Sequence, residues 1–102
     1  MSLYAAADAD DLAQVTLLVE QGEEKNQVGG DCDLTALGAA AFKGYLDIVR
    51  YLVEQVADME KTDRDGWTPL INASRNGHLE VVRFLLEQGA NRVISGVEGY
   101  RC

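Results

Sequence analysis

A four-residue segment recurs three times along this chain at a nearly constant spacing. Leu-Val-Glu-Gln at 18–21 returns at 52–55, and Leu-Leu-Glu-Gln follows at 85–88, at offsets of 34 and then 33 residues. Residues 30–62 laid over 63–95 without gaps give 11 identities. A fixed period of about 20 to 50 residues is typical of stacked repeat architectures, in which each unit buries its apolar face on its neighbours.

The third copy predicts a helix, a tight turn and a second helix. Thr68 and Pro69 form a helix start, because the hydroxyl can accept from a free backbone N–H and proline has no N–H to lose. We expect this helix to run to about Asn76, Gly77 to break it, and Gly89 to end the next one. The second helix has apolar residues spaced as one buried stripe: Leu79, Val82, Leu85 and Leu86.

The first copy repeats this pattern. Its second helix is expected to begin at Asp11, whose carboxylate can cap it, with Gln14 in the capping-box position. Its apolar stripe is Leu12, Val15, Leu18 and Val19. Between the second and third copies, residues 63–66 (Asp-Arg-Asp-Gly) have turn chemistry and predict a hairpin. Three such units are the usual minimum for independent stability.

These residues resemble the ankyrin repeat family, whose unit is a β-turn and two antiparallel helices. The third copy follows the family pattern almost throughout residues 63–91, and the second keeps it at 35–37, 40–41, 44–49 and 57–58. The resemblance implies an all-α solenoid of three stacked helix-turn-helix units joined by short β-hairpin-like turns. The units are a capping unit at 1–27, a second at 30–62 and a third at 63–95, with 96–102 starting a fourth hairpin.

The second copy departs from the family pattern at two turn positions. Asp33 replaces the hairpin glycine and Val56 replaces the glycine that ends the second helix. A β-branched residue at positive φ is costly, so this unit is expected to be strained or differently turned. The histidine that the family usually has after Thr-Pro-Leu is Ile71 in the third copy and Gly38 in the second. The hydrogen bonds that this histidine usually makes between units must therefore be made by other residues or be lost.

Charge restricts the class of partner. Of the 102 residues 47% are hydrophobic, a fraction that excludes disorder. The formal net charge is −8, which disfavours binding to the phosphate backbone of a nucleic acid. Residues 1–34 hold eight acidic residues and one basic residue. This acidic part is either a solubilising outer face or a surface that favours a partner with basic residues.

Targeting signals are not evident in the sequence. No secretory pattern follows Met1, and no apolar run approaches about 18 residues. Cys32 and Cys102 lie 70 positions apart without a nearby Cys or His, so neither a disulfide framework nor a zinc cluster can be read from them, and a reducing compartment is expected. We expect a cytoplasmic protein, with a nuclear location not excluded, and no membrane or nucleic-acid partner.

Residues that could carry chemistry are few, so no enzyme, cofactor or metal site is predicted. His78 is expected to be structural, near a helix N-terminus. The Asp8, Asp10 and Asp11 cluster lacks the calcium-loop spacing, and helix capping accounts for it. Gly29-Gly30 lacks the context of a phosphate-binding loop.

The resemblance instead implies a non-enzymatic module that binds another protein through its hairpin tips and concave helix face. Mapped onto this chain, the partner-binding candidates are Leu34, Phe42, Lys43, Arg64, Asp65, Trp67, Arg75 and Asn76, beside Asp8, Ala9, Asp31 and Cys32. Trp67 and Phe42 are the strongest, because large aromatic residues dominate interface energetics. The alternative for both is that the ring covers the flank of the neighbouring unit.

Three further hypotheses stay open at this point. The chain is expected to be a fragment of a longer array, with a native terminus as the alternative, and a fragment is expected to self-associate through its uncapped third unit. It is alternatively a targeting or autoregulatory segment of a larger multidomain enzyme. The last hypothesis is a purely structural spacer.

Overall fold

Six short helices form the structure, a computed structural model that describes residues 2–55 and 57–90. They are α1 (Leu3–Asp8), α2 (Leu12–Glu20), α3 (Ala36–Lys43), α4 (Leu46–Glu54), α5 (Pro69–Arg75) and α6 (Leu79–Glu87). One pair lies within each of the ranges 1–27, 30–62 and 63–95. Across the described ranges no strand is present, and the nearest approach to one is an isolated bridge between Gly29 and Leu34. The all-helical, three-unit fold is confirmed.

Two layers of helices make up the stack. In the inner layer α3 packs between α1 and α5, and in the outer layer α4 packs between α2 and α6. The middle helix α3 is rich in alanine, and Ala39, Ala40 and Ala41 are fully buried. Such small side chains allow close approach on both sides, since the distance between packed helices depends on the residues at the contact.

The helix caps predicted at Asp11 and Thr68 form, and Thr35 caps α3 in the same way. Thr35 and Thr68 accept hydrogen bonds through Oγ1 from the backbone N–H groups three residues on, at 3.0 and 3.3 Å. The Asp11 carboxylate accepts from the N–H of Gln14 at 3.1 Å and begins α2 as predicted. Gly77 has φ of 76°, so the left-handed break after α5 is also confirmed.

Two predicted core positions are wrong, and each is the first residue of its helix: Leu12 of α2, which is 38% exposed, and Leu79 of α6. Leu79, placed on the buried stripe of α6 by its spacing, is 75% exposed. The buried residues of α6 are Val81 and Leu85, four positions apart, with Val82 and Leu86 half-buried beside them. The stripe therefore begins at the third residue of the helix, because Leu79 is the first helical residue and lies at the edge of the packed face.

Of the two departures in the second copy, Asp33 is the one that lies among the described residues. Asp33 adopts φ of 54°, so it takes the left-handed conformation that the family's glycine would take. Asp is among the few non-glycine residues that adopt this region at moderate cost. Val56 and the predicted fourth hairpin at 96–102 lie outside the described residues.

Candidate functional site

A concave groove of about 250 Å³ runs along the inner helices and the two hairpins. We call it the hairpin groove. Side chains from all three units line it: Tyr4, Asp8, Cys32, Leu34, Phe42, Lys43, Asp63, Asp65, Trp67, Asn72, Arg75 and Asn76. Clefts of this kind that bring together apolar and a few polar groups are the usual locations of binding sites.

One carboxylate holds the hairpin of the third unit. Asp63 Oδ1 accepts from the backbone N–H groups of Asp65 at 2.9 Å and Trp67 at 3.0 Å. Its Oδ2 accepts from the side-chain amide of Asn72 on α5 at 3.2 Å. The backbone closes the same turn, because the N–H of Asp63 donates to the carbonyl of Trp67 at 2.9 Å. The hairpin is thus fixed to the helix that follows it.

Trp67 lies in the wall of the groove under the side chain of Arg75. The ring is only 6% exposed, and the Arg75 guanidinium lies 3.9 Å from its centroid. This is within the distance at which a cation is attracted to an aromatic face. Most of the tryptophan is therefore buried within the protein.

The hairpin of the second unit is built differently. The backbone groups of Gly29 and Leu34 exchange two hydrogen bonds, at 2.8 and 3.1 Å. The aromatic ring of Tyr4 from α1 lies so close that a Cβ at Gly29 would come within 2.8 Å of it. Gly30 has φ of 74° and also faces this ring. Glycine is required at both positions for the ring to pack on the backbone.

Arg64 joins the two hairpins. Its backbone N–H donates to the carbonyl of Cys32 at 2.8 Å, and its Nη1 donates to the carbonyl of Asp31 at 2.6 Å. Although Arg64 is exposed, its guanidinium is therefore occupied by a contact between units. The adjacent hairpins behave as one continuous edge of the groove.

Phe42 supplies the acceptor for a second connection between units. Its backbone carbonyl accepts from Asn76 Nδ2 at 3.1 Å and from His78 Nε2 at 2.9 Å. His78 must donate through Nε2, because a carbonyl oxygen can only accept. These bonds connect the second and third units, as expected if His78 has a structural role.

Both cations in the groove wall already have partners. Lys43 Nζ lies 3.4 Å from Asp8 Oδ1, and both side chains are partly exposed. Arg75 rests on Trp67.

Burial raises the pKa of the Tyr4 hydroxyl above its usual value, and the negative charge of Asp8 adds to that increase.

Asp65 differs from the other groove carboxylates. It is 4% exposed, and its Oδ2 atom is buried without a hydrogen-bond partner. A buried carboxylate oxygen without a donor carries a desolvation cost. Such an atom in the wall of a groove identifies a position where a donor from another molecule would be favourable.

The predicted partner-binding residues divide into three groups. Phe42, Lys43, Arg64 and Arg75 are exposed, and Asn76 is half-buried. Leu34, Asp65 and Trp67 are buried. All of the eight except Arg64 line the hairpin groove.

Tyr4, Asp63 and Asn72 line the groove without having been predicted as site residues. The repeat period contains a signal for Tyr4, because an offset of 34 places it on Gly38 and a further 33 places it on Ile71. At that position the Tyr4 ring lies against Gly29 and Gly30 of the next hairpin. Asp63 was recognised for its turn chemistry only.

Cys32 was predicted to be an exposed hairpin residue outside any disulfide. It is half-buried in the groove wall and is disulfide-bonded. The cysteine spacing therefore gives no support for a reducing compartment, and the location of the protein stays a prediction.

Two features that would indicate other kinds of site are absent from the described part of the chain. Within residues 2–55 and 57–90, no three His, Cys, Asp or Glu side chains lie together as a metal site would require. No helix there has the length and apolar character needed to cross a membrane.

Comparison with known proteins agrees with the helix pairs and hairpins described above. A family model described as "Ankyrin repeats (3 copies)" matches residues 3–94. Such repeats are in general protein–protein interaction modules and are typically non-catalytic. The match covers nearly the whole chain and all six helices. The chain belongs to the ankyrin repeat family.

Proposed function

We propose that this chain binds a partner protein through the hairpin groove. The observation that carries the proposal is the lining of the groove, which brings side chains from all three units onto one concave surface. No single unit forms this surface, because its lining comes from all three. The stacking that stabilises the array therefore also builds the site.

Phe42 and Arg75 are the residues that we expect to contribute most to binding. Phe42 is 37% exposed, and Arg75 presents an exposed guanidinium above Trp67. Aromatic residues and arginine near the centre of an interface are the usual hot spots, each with an effect of about 2 kcal/mol or more on truncation. Trp67 supports Arg75 from below rather than offering its own face.

The acidic first unit supports a partner with basic residues. Such a partner would approach faster at low ionic strength, because opposite charges steer encounter and salt screens them. An association rate that is indifferent to salt would remove the acidic surface from the mechanism.

The experiment is affinity capture with the wild type and two double variants. Phe42→Ala with Arg75→Ala removes the exposed groove side chains. Leu17→Ala with Arg83→Ala is the matched control, because it removes an exposed apolar residue and an exposed arginine from the outer helices α2 and α6. A protein retained by the wild type and the control but lost by the groove variant supports the proposal.

Equal retention by all three proteins would contradict a groove-mediated function. Trp67 and Arg64 are left unchanged in this design, since one is buried and the other joins the hairpins. Their removal would confuse loss of binding with loss of structure.

The remaining predictions need separate measurements. Self-association through the third unit is tested by light scattering over a range of protein concentrations, and a monomer throughout would contradict it. The role as a segment of a larger enzyme and the role as a spacer stay predictions, as does a cytoplasmic or nuclear location.

A further inference from the structure

We propose that the hairpin groove takes the end of one lysine or arginine side chain of the partner, which donates a hydrogen bond to the Asp65 carboxylate. This inference rests on the proposed function and names the chemistry that its groove would recognise. The observation behind it is Asp65 Oδ2, a buried oxygen in the groove wall without a donor.

Charge in the groove favours a cation. Three carboxylates and two cations line it, namely Asp8, Asp63 and Asp65 with Lys43 and Arg75. Lys43 is paired with Asp8, and Arg75 is stacked on Trp67. Asp63 uses both of its oxygens to hold the hairpin and α5. Asp65 is therefore the carboxylate of the groove lining that has a buried oxygen without a hydrogen-bond donor.

The apolar part of the lining suits the stem of such a side chain. Tyr4, Leu34 and Phe42 contribute aromatic and aliphatic surface to the same groove. Lysine and arginine bury their methylene stems against apolar surface while the charged end makes polar contacts. A neutral apolar side chain would fill this space but would leave the Asp65 oxygen without a donor.

Asp65 Oδ2 lies beneath the surface of the wall, so a wall side chain must move before a donor can reach it. Arg75 is the exposed member of the wall beside the buried Trp67, and its guanidinium is held by the ring contact. A change in the Arg75 side-chain conformation opens the wall at lower cost than a change in the buried ring. Binding is then expected to disturb the stack of Arg75 on Trp67.

The test uses short peptides with the whole chain. One peptide has a single arginine between glycines, with blocked ends, and a second has lysine in its place. The control peptide has citrulline, which keeps the shape of arginine without the charge. Trp67 is the only tryptophan, so its fluorescence and the NMR signal of its indole N–H report on the groove alone.

The expected result is a saturable change in the Trp67 signals with the two cationic peptides and none with citrulline. Asp65→Asn should weaken binding of the arginine and lysine peptides by about tenfold, which matches the loss of one hydrogen bond to a charged group. Asp33→Asn is the matched control. It removes the same charge from an exposed hairpin residue, and asparagine tolerates the positive φ at that position.

The stability of the free protein gives a second readout. Asp65→Asn removes a buried charge that has no donor, so we expect a higher unfolding midpoint together with weaker peptide binding. A purely structural carboxylate would show a lower midpoint instead.

Two outcomes would overturn the inference. Equal binding of the citrulline and arginine peptides would show that charge is not recognised. Unchanged peptide affinity in Asp65→Asn would show that another group recognises it. Either outcome leaves the proposed function standing if the Phe42 and Arg75 double variant still loses the captured protein.

Discussion

The hairpins of the second and third units occupy equivalent places in the repeat but are held by different interactions. The third hairpin depends on a side chain, because Asp63 accepts three hydrogen bonds from the turn and from α5. The second has Gly30 at that position and depends on a backbone bridge and on the Tyr4 ring of the preceding unit. One hairpin is therefore stabilised within its own unit and the other largely by its neighbour.

This difference shows how the second hairpin forms without a carboxylate equivalent to Asp63. Without a carboxylate at position 30, the turn loses its internal acceptor, but glycine allows an aromatic ring to lie directly on the backbone. The cost of losing polar contacts is offset by apolar burial. Two repeat units can thus have the same fold while different interactions stabilise their hairpins.

The largest expected effect comes from Asp63→Ala. The change leaves two backbone N–H groups and the Asn72 amide without their acceptor, so we expect destabilisation of about 2 to 4 kcal/mol. Chemical denaturation of both proteins measures it. Asp31→Ala is the control, since Asp31 is exposed and uses its backbone carbonyl to contact Arg64. Similar losses from both changes would show that the third hairpin does not depend on Asp63.

Gly30→Ala tests the second hairpin and should cost about 2 kcal/mol. Its φ of 74° is unfavourable for alanine, and the new Cβ would lie 2.7 Å from Cζ of Tyr4. Gly77→Ala is a close control, because Gly77 has φ of 76° and nothing within 4 Å of the added atom. The difference between the two unfolding free energies isolates the Tyr4 contact. Equal losses would mean that the ring does not stabilise the hairpin.

Much of this architecture could be predicted from the sequence, because local chemistry decides it. The caps at Asp11, Thr35 and Thr68 depend on a side chain and an N–H three residues away. The left-handed turn at Gly77 depends on a single residue. The repeat period supplies the rest, since units that resemble each other in sequence stack in the same way.

The contents of the groove were harder to predict, because they depend on contacts between units. For Trp67 both a binding role and a packing role were open, and the sequence alone does not indicate that its ring is 6% exposed beneath Arg75. Tyr4 was not predicted at all, since its role depends on a hairpin about 26 residues further along the chain. Leu79 was wrongly placed in the core because its spacing from Val82 and Leu86 fits the apolar stripe, although it is the first residue of α6 and lies at the edge of the packed face.

Arg64→Ala tests the connection between the two hairpins and should have a small effect. The change removes the side-chain bond to the Asp31 carbonyl but leaves the backbone bond to Cys32, so about 0.5 to 1 kcal/mol is expected. Hydrogen exchange at the Arg64 amide should quicken by about threefold, which corresponds to the same energy. Arg83→Ala, on the exposed face of α6, should leave that exchange rate unchanged. No difference between the two variants would mean that the backbone bond alone joins the hairpins.

The smallest expected effect is a pH dependence that comes from Tyr4. The pKa of its hydroxyl is raised in the folded protein, chiefly by burial and then by Asp8, so the folded state keeps its proton longer than the unfolded state does. Below the pKa of the unfolded chain, near 10.0, the hydroxyl is protonated in both states and does not make the stability depend on pH. As pH rises above that value, the unfolded chain loses the proton first, and stability falls.

Thermal unfolding of the wild type and Tyr4→Phe, followed from about pH 8 to about pH 11, measures this effect. The wild type should lose more stability than the variant, because phenylalanine keeps the ring on Gly29 and Gly30 but has no proton to lose. Deprotonation would place a negative charge beside Asp8 and against the hairpin backbone. Parallel curves for the two proteins would show that the hydroxyl is solvated in the folded state, and that the ring alone holds the second hairpin.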